Sequence, residues 1–258
     1  MKRLNLPLLI AGILTTIVGV IAVSLTRGRA LVENAATSST VLFALSLICT
    51  VVGIVMLVVS FNANRPPVET RTLTMASLFA ALCYIGFSYC KIDIPVGGEK
   101  TAFHLGNVFC VLAALFVGGF WGGMSGAIGM TIADLTSNYI TSAPKTFILK
   151  LCIGLITGLI AHKIFRISQN NSGKKVPLPV ATVLSCIGGM AFNMVADPVV
   201  GYFYKMYVLG VPQKAASVWA KMGAVTTAVN AVIAVISASV LYLALQPALK
   251  KARLLPKV

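Results

Sequence analysis

The sequence predicts an all-α integral membrane protein, and two observations support that fold class. Hydrophobic residues make up 58% of the 258 positions and charged residues only 10%, whereas about 25% of the residues in soluble domains are charged. Apolar runs of about 20 residues, the helical length that crosses a hydrocarbon layer of ~30 Å, recur along the chain. A soluble core cannot bury that much apolar surface, so we expect a chain that crosses the lipid bilayer several times.

Charges and turn residues divide the apolar runs into eight predicted spans. The fourth is short and the seventh is long. The first follows Lys2 and Arg3 but lacks a small-residue cleavage site, so we interpret it as a membrane helix and not as a signal peptide. In chain order the spans are Leu4–Leu25, Thr40–Phe61, Leu73–Cys90, Ala102–Val117, Gly119–Ile140, Thr146–Phe165, Val176–Met206 and Lys214–Leu245.

A polar segment at residues 62–71 separates the first two spans from the other six. It contains Pro66 and Pro67, and consecutive prolines cannot continue a helix. The predicted organisation is therefore an N-terminal helix pair at 1–61, a cytoplasmic linker at 62–71 and a six-helix core at 72–258. The helix pair has no ionisable residue inside either span, which favours a role in packing or anchoring.

The net charge of +15 indicates membrane orientation and not nucleic-acid binding. The lysines and arginines are scattered between apolar spans, without the basic stripe or aromatic platform of a nucleic-acid site. With the N-terminus inside, twelve of the 21 fall in inner segments, and cytoplasmic loops retain positive charge. We therefore expect both termini in the cytoplasm.

Polar side chains inside the spans predict a binding site. Such groups are costly in lipid and mark functional sites when they face a cavity or one another. Most lie at one depth, in the outer half of five helices, whereas Asn230 breaks the pattern. Singly, Lys145 could reach the interface and Asp134 could pair with a lysine, but the set favours a small-molecule pocket open to the outside. The candidate substrate-binding residues are His104, Asn107, Asp134, Asn138, Lys150, Asn193, Asp197, Trp219 and Lys221.

Small residues four apart predict close helix packing. Gly118, Gly122 and Gly126 share one face of the fifth span, with Gly119 and Gly123 in the adjacent register, and Gly154 and Gly158 repeat the spacing one span later. Ala76 and Ala80 form a further pair. That pair could be an internal seam or a docking face for another membrane protein.

The chain offers no recognisable catalytic or metal-binding machinery. It contains no HExxH, GxSxG or Walker-type sequence. Its two histidines, His104 and His162, are predicted on opposite sides of the membrane, which excludes a histidine-rich metal site. The six cysteines lie in or beside apolar stretches without CxxC spacing and are interpreted as small hydrophobes. We expect no catalytic residue, no metal and no cofactor.

One string of motifs resembles a known family. It runs from His104-Leu-Gly-Asn107 through the glycine-rich span to Ala133-Asp134-Leu135, and then to Pro144-Lys-Thr-Phe-Ile-Leu-Lys150 and Gly154-Leu-Ile-Thr-Gly158. It is similar to the S component, the substrate-binding subunit, of energy-coupling factor (ECF) vitamin transporters. The resemblance covers residues 70–245. The helix pair at 1–61 departs from it.

The resemblance implies a six-helix S-component-like core, here preceded by two additional transmembrane helices, in a prokaryotic cell membrane. Such a subunit binds a water-soluble vitamin or precursor from outside, and delivers it through a transmembrane T component and two cytoplasmic ATPases. The resemblance also implies that Ala76 and Ala80 dock the T component, and that residues 91–100 act as a lid over the pocket.

Two other classes of protein remain as alternatives. A self-sufficient secondary transporter would use Asp134 and Asp197 for coupling to protons or cations, but no inverted repeat is visible. A lipid-modifying enzyme would need a nucleophile and base on the cytoplasmic side, and the sequence offers none there.

Trp219, Tyr202 and Phe103 could stack on a flat ring, which favours a pyridine or pyrimidine-type vitamin.

Overall fold

The computed structural model describes residues 69–96, 99–137, 139–168 and 176–256. The two predicted N-terminal spans and Asn138 lie outside these ranges. Within them the chain forms six helices and one hairpin: α1 (Thr70–Ser88), β1 (Lys91–Val96), β2 (Glu99–His104), α2 (Gly106–Val117), α3 (Gly119–Leu135), α4 (Ala143–Gly158), α5 (Leu178–Phe203) and α6 (Gln213–Lys251).

Short 3₁₀ or π-helical turns adjoin two of the helices, α4 and α5. A 3₁₀ turn at Ile140–Ser142 precedes α4, and π-helical turns at Leu159–Ile164 and Tyr204–Val208 continue α4 and α5. Among the described residues, four continuous helical stretches are long and apolar enough to cross a membrane: Thr70–Ser88, Ile140–Ile164, Leu178–Val208 and Gln213–Lys251. The prediction of an all-α membrane protein is thus confirmed.

The predicted fourth span begins too early. Residues 102–104 belong to β2, which pairs antiparallel with β1 in the register Lys91↔His104 through Val96↔Glu99. The strand pairing takes up backbone groups that a helix would have used. Helix α2 therefore starts at Gly106 and has 12 residues, about 18 Å at 1.5 Å per residue, too short to cross a hydrocarbon layer of ~30 Å. The predicted linker also extends too far, because its last two residues, Thr70 and Arg71, already belong to α1.

Helix α3 packs closely against two neighbours through two rows of glycines. A methyl group at Gly122 would overlap the backbone of Ala114 in α2, and one at Gly154 in α4 would overlap the backbone of Gly123. The two registers predicted from the spacing therefore serve two different helices. Gly118 joins α2 to α3 with φ 86°, a left-handed conformation that favours glycine.

The Ala76 and Ala80 pair is an internal seam in this structure. Ala76 is 6% exposed, and its carbonyl accepts a hydrogen bond of 2.8 Å from Ser125 Oγ in α3. A methyl group at Gly129 would overlap the Ala80 carbonyl. This corrects the expectation of a free docking face, because the small residues bring α1 onto α3. The exposed small side chains of the same helix are one residue further on, at Ser77 and Ala81.

The burial of Ala76 between α1 and α3 predicts how substitutions in α1 affect stability. Ala76→Trp should lower thermal stability by about 1–3 kcal/mol, because the indole cannot fit between α1 and α3. Ala81→Trp, on the exposed face of the same helix, is the matched control and should unfold at the wild-type temperature. Thermal unfolding of the purified full chain measures both. Equal unfolding temperatures for the two variants would contradict the assignment of Ala76 to a seam.

Candidate functional site

A cavity lies beneath the hairpin, and residues from each of the six described helices line it. Its empty volume is about 1000 Å³, the open mouth included, which is in the range of small-molecule sites. Strand β2 contributes part of its wall through Thr101, Ala102 and His104. Seven of the nine predicted site residues line it: His104, Asn107, Asp134, Lys150, Asn193, Asp197 and Trp219.

Lys221 does not belong to the cavity wall. The residues of α6 that line the cavity include Gly223, Thr227 and Asn230, which lie on one helical face. Lys221 precedes Gly223 by two residues, about 200° around the helix at 3.6 residues per turn. It is exposed on the opposite side, and this corrects the prediction. Asn138 lies outside the described residues.

Ten polar residues that the sequence does not place in the candidate site also line the cavity, among them Lys145, Thr227 and Asn230. A lysine at a span end can reach the interface, and threonines are too common in membrane helices to stand out. Asn230 departs from the depth that the other candidates share. Helix α6 has 39 residues, about 58 Å, so a depth counted from its first residue overestimates how far Asn230 lies below the membrane surface.

An ion pair joins α4 to α5 inside the cavity. Lys145 Nζ lies 2.7 Å from Asp197 Oδ1, and the two side chains are 15% and 22% exposed. Thr227 Oγ1 of α6 donates a 2.7 Å hydrogen bond to the other carboxylate oxygen. Asp197 thus ties together three helices. Neither Asp134 nor Lys150 forms a salt bridge within the described residues.

Four buried polar atoms on the cavity wall have no hydrogen-bond partner in the part of the chain that the structure describes. They are His104 Nδ1, Asn107 Oδ1, Asp134 Oδ2 and Asn193 Oδ1. Buried polar groups are nearly always paired, so an unpaired cluster facing a cavity indicates groups that a ligand or ordered water would satisfy. Three of the four are oxygens that accept hydrogen bonds.

Lysines outnumber acids on the cavity wall. Lys100, Lys145, Lys150 and Lys205 line it together with Asp134 and Asp197. Burial lowers the pKa of His104, which lies in β2 outside the helices, and the nearby ammonium of Lys150 acts in the same direction. The imidazole is therefore neutral. A neutral imidazole has one nitrogen that donates a hydrogen bond and one that accepts, so it suits a polar ligand.

Aromatic rings and further lysines complete the wall. Phe87 lies 4.7 Å from the His104 ring, measured between centroids, and Lys205 Nζ lies 4.5 Å from the centroid of Trp219. Phe87, Tyr139 and Trp219 line the cavity. Tyr202 and Phe103, the other two aromatic candidates, do not, and Tyr202 packs instead on Phe203.

The hairpin is fastened to the helices on two sides. Asn230 of α6 accepts a hydrogen bond from His104 N (3.0 Å) and donates one to the carbonyl of Ala102 (3.0 Å). Thr101 and Thr226 join their hydroxyls at 2.7 Å. On the other strand, Tyr139 donates a 2.9 Å hydrogen bond to Asp93.

Comparison with known families gives one match. A family model described as "ECF-type riboflavin transporter, S component" matches residues 67–247. The match includes all six described helices except the last residues of α6, together with the whole cavity. No curated protein and no solved structure matches the chain.

The ion pair between Lys145 and Asp197 predicts how substitutions at these residues affect stability. Lys145→Met should destabilise the fold by about 3–5 kcal/mol, because it leaves the Asp197 carboxylate buried without its cation. The double variant Lys145→Met/Asp197→Leu should lose less than the sum of the two single variants. Unfolding free energies of the full chain in detergent complete this double-mutant cycle. Strict additivity of the two single losses would contradict the coupling.

Proposed function

Because this chain belongs to the family of ECF-type riboflavin transporter S components, we propose that the cavity beneath its hairpin captures a vitamin from outside the cell. The family consists of substrate-binding subunits of membrane transporters. Several membrane-spanning helices, as found in this chain, are consistent with such a subunit. The location of the binding site and the residues that bind are part of this proposal. We also propose that the substrate enters from the outer side of the membrane and that both termini are cytoplasmic.

The observation that supports this function is the cluster of unpartnered polar atoms on the cavity wall. Asn107 and Asn193 are 2% and 1% exposed, yet their side-chain oxygens have no partner among the described residues. A buried group without a partner costs about 1–3 kcal/mol. A ligand that donates hydrogen bonds to these oxygens removes that cost, and the gain appears as binding affinity.

Riboflavin is the substrate that we test first, because the family description names it. Its chemistry suits the unpartnered acceptors of the wall, because the ribityl chain carries several hydroxyl donors and the ring system carries an imide N–H. A flat ring would also find Trp219, Phe87 and Tyr139 on the wall. The pyridine or pyrimidine-type vitamin favoured by the sequence shares the flat ring, so a vitamin of that type is the natural competitor in the assay.

The captured substrate would pass to the cytoplasm through partner proteins, as members of this family work with a T component and ATPases. We propose that the T component contacts α1 on its exposed side, where Ser77 and Ala81 are four residues apart, and not through the buried Ala76. Small residues allow close backbone approach between membrane helices from different chains, as they do within one chain.

We predict that Asn193→Leu weakens riboflavin binding by about 5- to 150-fold, because the leucine removes an acceptor from the wall. Quenching of riboflavin fluorescence by the purified full chain measures the affinity. Ser185→Ala, on the same helix but away from the cavity, is the control, since its hydroxyl bonds to the Ala181 carbonyl. Failure of the wild-type protein to bind riboflavin would exclude that substrate. Unchanged affinity in both Asn193→Leu and Asn107→Leu would exclude the site.

We also predict that the chain alone, reconstituted in liposomes, binds external substrate but does not accumulate it. The sequence contains no nucleotide site to energise uptake, and Asp197 is held by Lys145 and Thr227. Uptake of radiolabelled substrate is measured with and without a proton or sodium gradient, and then with the T component and ATPases added. Accumulation driven by a gradient without partner proteins would support the secondary transporter instead.

A further inference from the structure

We propose that Asn230 is a latch that holds the hairpin over the cavity, because its side-chain amide presents to β2 the donor and acceptor that one residue of a third strand would present. Backbone groups of alternate residues in a strand face the same edge. The carbonyl of Ala102 and the N–H of His104 therefore share one edge of β2, and both bond to the Asn230 amide at 3.0 Å. The oxygen and nitrogen of the side-chain amide both face this edge, so they satisfy it as the N–H and C=O of one residue in a neighbouring strand would.

The amide orientation follows from its partners. His104 N–H can only donate, and the Ala102 carbonyl can only accept, so the oxygen of Asn230 must face His104 and the nitrogen must face Ala102. Asn230 is 4% exposed, and its two bonds are thus shielded from water.

A second contact lies one turn earlier in α6. Thr226 Oγ1 lies 2.7 Å from Thr101 Oγ1 of β2, and either hydroxyl can donate in that bond. The carbonyls of Met222 and Gly223, in the same helix as Thr226, lie 3.1 and 3.0 Å from Thr226 Oγ1. Asn230 and Thr226, four residues apart on one face of α6, hold β2 at two points.

The strength of these bonds suits a reversible closure. Each is between uncharged groups, and lifting the hairpin would exchange it for a bond to water at a modest net cost. The opposite strand is held by the more exposed bond between Tyr139 and Asp93. Loss of Asn230 would thus release the β2 edge, while the helices that form the rest of the cavity keep their packing.

The latch itself is tested without any ligand. Hydrogen–deuterium exchange is followed by mass spectrometry on the full chain in nanodiscs, for the wild type, Asn230→Leu and Asn230→Ala. We expect amides of residues 99–104 to exchange at least tenfold faster in both variants, with the exchange of α2 to α5 and the unfolding temperature close to wild type. Thr226→Val should give a smaller increase at the same residues.

Ser239→Ala is the control from the same helix, because Ser239 is buried and bonds to Cys186 Sγ away from the hairpin. It should leave hairpin exchange unchanged. Three results would overturn the latch: unchanged exchange at residues 99–104 in both Asn230 variants, faster exchange throughout the chain, or the failure of both variants to fold. The last two would assign Asn230 to general packing.

The consequence for substrate retention rests on the proposed function. If riboflavin binds the wild type, its dissociation rate from Asn230→Ala should rise at least fivefold, as measured by displacement in a stopped-flow fluorimeter. A faster-exchanging hairpin with an unchanged dissociation rate would separate the latch from retention and overturn that part. Because the exchange measurement uses no ligand, a wrong substrate leaves the test of the latch intact.

Discussion

Close approach of α3 to α2 and to α4 is the constraint on which the rest of the structure depends. The backbones of Gly123 and Gly154 leave no room for a methyl group between them, nor does Gly122 against Ala114. In lipid there is little hydrophobic drive between helices, so contact over small residues supplies the packing energy. This contact sets how far apart the polar ends of the three helices lie, and so brings Asn107, Asp134 and Lys150 to one cavity.

The cavity keeps one of its acids paired within the protein. An isolated buried charge is very costly, and a pair is tolerated when its geometry is good. The pair between Lys145 and Asp197, supported by Thr227, meets that condition. The unpartnered polar atoms on the wall, most of them acceptors, are left for a ligand, so a substrate that donates hydrogen bonds fits them best.

The hairpin forms part of the cavity wall from β-strand, whereas helices form most of the rest. A short antiparallel hairpin is marginally stable alone in water, and here it is supported by side chains from α6 and by Tyr139. Its attachment at a few points, rather than by a broad apolar face, distinguishes it from the bundle, whose helices hold one another through continuous buried surfaces.

The sequence alone determined the membrane class, the approximate helices from residue 69 onward and seven cavity residues, because hydropathy and polar residues within apolar spans are local properties. The family resemblance, later supported by the match to residues 67–247, came from the same local motifs. Sequence reasoning misjudged what depends on rotation about a helix and on pairing between segments. Lys221 points away from the cavity, Ala76 faces α3, and residues 102–104 are a strand because β1 lies beside them. Only the tertiary structure decided that Asn230 belongs to the site, since its partners are backbone atoms more than 120 residues away, and no local pattern records such a contact.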